Sequence, residues 1–171
     1  MNADQLRELQ RPLKEQYRER PDTARKTLRA RGTIEPGPAA CHVETALGKA
    51  PAGLHPAAGG DGSWVCSGDM LLEALAGCAG VTLAAVASAM GIPLRGGSVT
   101  VEGEMDFRGT LGVSKDVPVG FDQLRLRFEL DSDASPEQLQ KLAELTERYC
   151  VVFQTLKHPP RIEVGVHAAG A

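Results

Sequence analysis

The residues able to do chemistry here are four cysteines, Cys41, Cys66, Cys78 and Cys150, and four histidines, His42, His55, His158 and His167. No C-x-x-C and no H-x-x-x-H pair occurs, so a zinc site would have to be assembled from scattered positions. Gly59-Gly60-Asp61-Gly62 lacks the Lys-Ser/Thr of a phosphate loop, and no Ser-His-Asp signature stands out. What remains is thiol chemistry. A cysteine within a helix is more often a small core hydrophobe than a nucleophile. Two features favour more for Cys78. It is bracketed by Gly77 and Gly80, with Thr82 one turn on, and Arg29 and Arg31 offer a cation able to hold a thiolate at neutral pH.

These residues need elements to position them. From Met70 to Met90 the only charge is Glu73, and small or apolar residues occupy every face at helical spacing. Such a helix is buried all round. Its length reaches that of a membrane span. Glu73, Thr82 and Ser88, and the amphipathic strands around it, instead favour a central core helix, with Ser67 as its N-cap. Glycines inside a helix cost about 1 kcal/mol each relative to alanine, so Gly77 and Gly80 predict a close approach by a backbone or a substrate.

Around this helix the chain alternates between two periods. Leu6, Leu9, Leu13 and Tyr17 share a face of a two-part helix broken at Pro12, which packs on a surface or partner subunit or frays as a tail. From Thr23 to Thr33 the period is two, predicting a strand with Arg29 and Arg31 on one face. Glu35-Pro36-Gly37-Pro38 turns it into a hairpin with residues 41–45. Residues 46–65 read as a functional loop. Residues 97–107 and 121–131 are amphipathic strands, separated by a loop over 108–120. Ser135-Pro136-Glu137-Gln138 is a capping box opening a helix that carries Cys150 and runs on to Leu156, and Arg161–Val166 is the last strand.

The chain therefore reads as one α+β domain. With 19 Lys+Arg against 22 Asp+Glu it carries a net charge of −3, which argues against nucleic-acid binding. Seven aromatic residues are too few for base-stacking platforms. The polar N-terminus predicts no secretory leader, and irregularly spaced cysteines predict a reducing cytoplasm. One sheet covers only one side of the central helix. The simplest completion is a dimer whose helices pack through Ala76, Gly77, Gly80 and Ala84.

Ser67-Gly68-Asp69-Met70-Leu71-Leu72-Glu73-Ala74-Leu75-Ala76-Gly77-Cys78 resembles the OsmC/Ohr pattern Ser-Pro-x-Glu-Leu-Leu-x-Ala-x-x-x-Cys. The stretch around Cys150-Val151-Val152 resembles that family's second cysteine motif, usually Cys-Pro-Val. The resemblance covers nearly all of the chain from Thr23 to His167. It implies curved antiparallel sheets wrapped around two central helices in an intertwined homodimer, with residues 1–22 as a helical extension and 23–171 as the OsmC-like domain. It also implies a thiol peroxidase for organic hydroperoxides. Cys78 would be the peroxidatic thiol, Cys150 the resolving thiol, and a dithiol, lipoyl-linked in relatives, the reductant. Arg31, preferred over Arg29, would be the family's arginine and Asp69 its acidic partner. No cofactor, metal, nucleic acid or membrane is expected. Gly68 and Val151 replace the family's prolines, and Asp69 is one carbon shorter than its glutamate. A non-catalytic redox sensor or small-molecule binder on the same fold is the alternative.

Overall fold

The computed structural model describes residues 3–168. Helix α1 (Ala3–Glu19) leads through a short 3₁₀ turn and an extended stretch to four short strands: β1 (Gly32–Glu35), β2 (Ala40–Thr45), β3 (Gly48–Gly53) and β4 (Val65–Cys66). They form one sheet in that order, antiparallel except for β3 with β4. Then come α2 (Ser67–Met90), β5 (Gly96–Met105), the single turn α3 (Phe107–Thr110), β6 (Phe121–Asp131), α4 (Pro136–Tyr149) and α5 (Val151–Lys157). Strands β5 and β6 form a separate antiparallel ribbon.

The long amphipathic strands behave as their period dictates. Along β6 half-buried Leu124, Leu126, Phe128 and Leu130 alternate with exposed neighbours. On the wet face Arg125 pairs with Glu104 and Arg127 with Glu102 across the ribbon. The dry face meets α2. Along α2 a stripe at every fourth residue is buried: Leu75, Ala79, Leu83 and Ala87. Leu83, Ala87, Ile92 and Leu142 form one core cluster, while Leu75, Ala79 and Cys150 form a second. Phe128 packs against both. Gly80 is where α2 comes closest to β5, since a Cβ there would meet the Val99 side chain at 3.3 Å.

Several expectations are corrected. The helix over residues 3–19 is unbroken, with Pro12 inside it. A proline removes one helical hydrogen bond, and packing of α1 on α2 together with the Arg7–Asp4 and Arg11–Glu8 pairs keeps the rest. The expected strand over 23–33 shrinks to β1. Its partner β2 is spent once the Glu44 N–H meets the Arg31 carbonyl at 2.8 Å, and residues 25–30 have no strand beside them. The 46–65 stretch is not all loop, because it contains β3 and β4. The N-cap of α2 is Cys66 rather than Ser67: its sulfur accepts from the Gly68 N–H at 3.4 Å. Residues 161–166 carry strand alternation but no strand, again for want of a neighbour.

Burial of α2 is one-sided within the chain. Val81 is 74% exposed, and a Cβ on Gly77 would meet nothing within 4 Å. By length and composition α2 could cross a membrane, yet it packs on β5, α4 and α5 as a core helix does.

Candidate functional site

Cys78 and Cys150 are brought together by a break in a helix. The capping box at Ser135 forms: its hydroxyl accepts from the Gln138 N–H, and the Gln138 side chain accepts from the Ser135 N–H. The helix it opens was expected to pass through residue 150 and does not. Cys150 takes an extended conformation (φ −73°, ψ 111°) between α4 and α5. Its N–H still donates to the Thr146 carbonyl at 2.9 Å, while its carbonyl accepts from the Gln154 N–H at 2.9 Å. The residue thus closes one helix and opens the next. It is fully buried against Leu75 and Ala79 of α2.

The break lies beside Cys78, which sits half-buried on α2 and packs with Val152 on the cluster that holds Cys150. The groups that favour its thiolate are the N–H groups of Val152 and Val151, the Cys150 thiol and the Thr82 hydroxyl. Burial works to raise the Cys78 thiol. The donors from Val152, Cys150, Val151 and Thr82 outweigh it, and the net displacement is downward, toward the thiolate. Cys150 moves the other way. Burial raises it first, and the Cys78 sulfur it faces raises it further. One thiol is poised to ionise and its neighbour to keep its proton.

The other two residues expected at the site stand elsewhere in the chain. Arg31 precedes β1, lies 4.0 Å from Glu44, and is well exposed. Arg29 lies in the extended stretch before it. Asp69 is exposed in the first turn of α2, nine residues before Cys78, or about 13 Å along the axis at the helical rise. Thr82 was visible in sequence as a neighbour one turn on. The two backbone donors were not, because no glycine or proline marks the break at Cys150.

A cavity of about 460 Å³ opens among residues that pack around Cys150, although neither Cys78 nor Cys150 lines it. Leu75, Leu124, Leu126, Phe128, Phe153 and Leu156 line it and also belong to the cluster around Cys150. Glu147 and Lys157 supply charge at its wall. Cys41 and Cys66 are free thiols apart from this site. Among the described residues no group of three His, Cys, Asp or Glu is placed to hold a metal ion.

The family model described as OsmC-like protein matches residues 60–165, a stretch that holds both cysteines of the pair. This chain belongs to the OsmC-like family. The match begins after Arg31 and α1, which lie outside it. The fold agrees with solved structures. An OsmC-like protein from Mycoplasma pneumoniae superposes with a TM-score of 0.66 at 16% identity, covering 78% of this chain and 89% of that one. An organic hydroperoxide resistance protein OsmC from Legionella pneumophila gives 0.62 at 18%, with 78% and 93% covered. An organic hydroperoxide resistance protein from Elizabethkingia anophelis gives 0.61 at 18%, with 79% and 93% covered. No curated protein matches the chain.

Proposed function

We propose that this OsmC-like protein is a thiol-dependent peroxidase that reduces organic hydroperoxides through Cys78 and Cys150. The observation that carries the reading is the meeting of two cysteines in one apolar cluster, Cys78 half-buried on α2 and Cys150 fully buried at the break between α4 and α5, with Cys78 displaced toward the thiolate and Cys150 away from it. A peroxidatic sulfur must be a thiolate, and a resolving sulfur must wait as a thiol. The Cys78 thiolate attacks the outer peroxide oxygen, the O–O bond breaks, and the departing alkoxide takes a proton to leave as an alcohol. Cys78 is then a sulfenic acid. The Cys150 sulfur attacks it, water leaves, and a disulfide joins the two. A dithiol reductant, such as a lipoyl group, exchanges with that disulfide, returning both thiols and leaving as its own disulfide. In this reading the apolar part of the substrate sits in the cavity that shares Leu75, Phe153 and Leu156 with the cluster around Cys150. The cytoplasm, where dithiol reductants act, fits this cycle.

The working unit we propose is a homodimer. Ile162, Val164 and Val166 alternate along an extended segment and are 80%, 87% and 92% exposed. The β5–β6 ribbon has only two strands, so both its edges are open to another chain. Residues 25–30, which include Arg29 and lead up to Arg31, likewise have no strand beside them. A second copy satisfies all three, and this is the route by which Arg31 would reach a Cys78.

The direct test is turnover. With cumene hydroperoxide and dihydrolipoamide, the wild type should consume peroxide catalytically while Cys78→Ser does not. Equal rates for the two, or none for either, would overturn the reading. In the latter case the same fold serves as a sensor or binder.

A further inference from the structure

The protein has four phenylalanines, and three of them, Phe121, Phe128 and Phe153, line the same cavity of about 460 Å³. All three are half-buried. The fourth, Phe107, stacks on His55 elsewhere. Each of the three reaches the cavity by a different route. Phe128 follows the period of β6 and packs on both core clusters. Phe121 holds an odd position on that strand, and unbroken alternation would put it on the wet face with Gln123, Arg125 and Arg127. A bulge prevents this. The register steps from Glu104 opposite Gln123 to Met105 opposite Phe121, so Asp122 is passed over and Phe121 joins the face of Gly103 and Met105. Gly103 makes the room, since a Cβ there would stand 2.6 Å from the Phe121 ring. On α2 a Cβ at Gly68 would meet the same ring at 3.4 Å. Phe153 lies on α5, where the Lys157 ammonium one turn on stands over its ring, 5.5 Å from the centroid.

The volume and the apolar wall suit a small ligand, and few polar groups border it. Leucines alone would make a wall as apolar. Rings add geometry, because aromatic pairs prefer offset-stacked or edge-to-face arrangements and gain from them beyond the area they bury. We infer that the cavity is a binding site for an aryl group, so that the hydroperoxides this protein selects carry an aromatic ring rather than a plain alkyl chain. The inference rests on the peroxidase reading for the peroxide part of that ligand, whereas the ring site itself needs neither thiol. Cys78 and Cys150 belong to the cluster whose Leu75, Phe128 and Phe153 also wall the cavity. The ring is thus held apart from the reacting sulfur, and the substituent bearing the peroxide is what reaches it.

The test uses two alcohols, neither of them an oxidant. Cumyl alcohol is what cumene hydroperoxide leaves on reduction, and its cyclohexyl analogue has the same skeleton with the ring saturated. Each is titrated into the isotope-labelled full chain, and Kd is read from amide shifts. The saturated ring is no less apolar and no smaller, so burial of area alone predicts that it binds as well or better. Ring recognition predicts the reverse, with cumyl alcohol about twofold to tenfold tighter and the shifts centred on Phe121, Phe128 and Phe153. Phe153→Leu and Phe121→Leu keep the wall apolar and should bring the ratio of the two Kd values toward one. Cys78→Ser should keep the wild-type ratio. The inference is overturned if the saturated alcohol binds as tightly, if neither alcohol binds, if the shifts fall outside the cavity, or if both leucine variants keep the wild-type ratio. Should those variants fail to fold, the wild-type ratio decides. Preference for the aryl alcohol in a chain inert to cumene hydroperoxide would sink the peroxidase reading and leave the ring site standing. Turnover of cumene hydroperoxide without that preference would do the opposite.

Discussion

The fully buried Cys150 packs with Cys78 in one cluster, and the two ionise in opposite directions: burial opposes the Cys78 thiolate but the Val152 N–H and the Cys150 thiol outweigh it, whereas burial first and the Cys78 sulfur next hold Cys150 up. The sign fixes the pH behaviour. A thiol displaced downward gains its thiolate at lower pH than a free cysteine, so Cys78 alkylation should plateau before that of glutathione. Cys150 should stay unmodified over the same range and label only after unfolding. Mass analysis of alkylated peptides checks both, and Cys150 labelling before Cys78 would reverse the assignment.

Leu142 has no exposed surface and packs against Leu83, Ala87 and Ile92, joining α4 to α2. Leu142→Ala should cost roughly 2–5 kcal/mol, the range for a fully buried leucine. Denaturant unfolding at one fixed protein concentration measures it. A loss below about 1 kcal/mol would mean that the site collapses around the smaller side chain.

Arg108 holds the Asp106 carboxyl down to about 2 through its side chain and then its backbone N–H, which Asp106 also caps at 3.0 Å. A depressed carboxylate stabilises the folded state above its unfolded value of about 4, and that contribution fades as the pH falls toward the folded value. Arg108→Ala removes the larger cause, so the Asp106 midpoint should rise toward the ordinary range in a carboxyl NMR titration. An unmoved midpoint would assign the effect to the backbone alone.

If residues 161–167 pair with a second copy, a charge in their apolar alternation should separate the subunits. Val164→Asp is expected to reduce the mass in sedimentation from dimer to monomer. Arg31→Ala should leave the dimer intact and slow Cys78 oxidation. A wild-type monomer would contradict the dimer, and an unchanged oxidation rate would remove Arg31 from the site.

Much of this was legible in sequence where a local rule acts alone. The period of two in residues 121–131 gave β6 end to end, and Ser135 with Gln138 formed the expected capping box. The apolar run gave α2, and its Gly91 closes it in the left-handed conformation at φ +68°. What failed needed a neighbour. The alternation over 25–30 and 161–166 is real, but a strand exists only beside another strand, and the described residues supply none there. The gap at Cys150 was invisible for a different reason. Leu145, Tyr149, Val152 and Leu156 keep a helical stripe across it, so periodicity runs on where the backbone does not. At the site, Cys78, Cys150 and Thr82 could be named from residue types and spacing, whereas the Val151 and Val152 donors are backbone groups and carry no residue signature.

The most direct measurement is the mass of the protein after one equivalent of cumene hydroperoxide, with peptide mapping, for wild type, Cys78→Ser and Cys150→Ser. The peroxidase account predicts a Cys78–Cys150 disulfide in the wild type, one added oxygen on Cys78 in Cys150→Ser, and no reaction in Cys78→Ser. Oxygen on Cys150 while Cys78 stays reduced, or oxidation confined to Cys41 or Cys66, would contradict it.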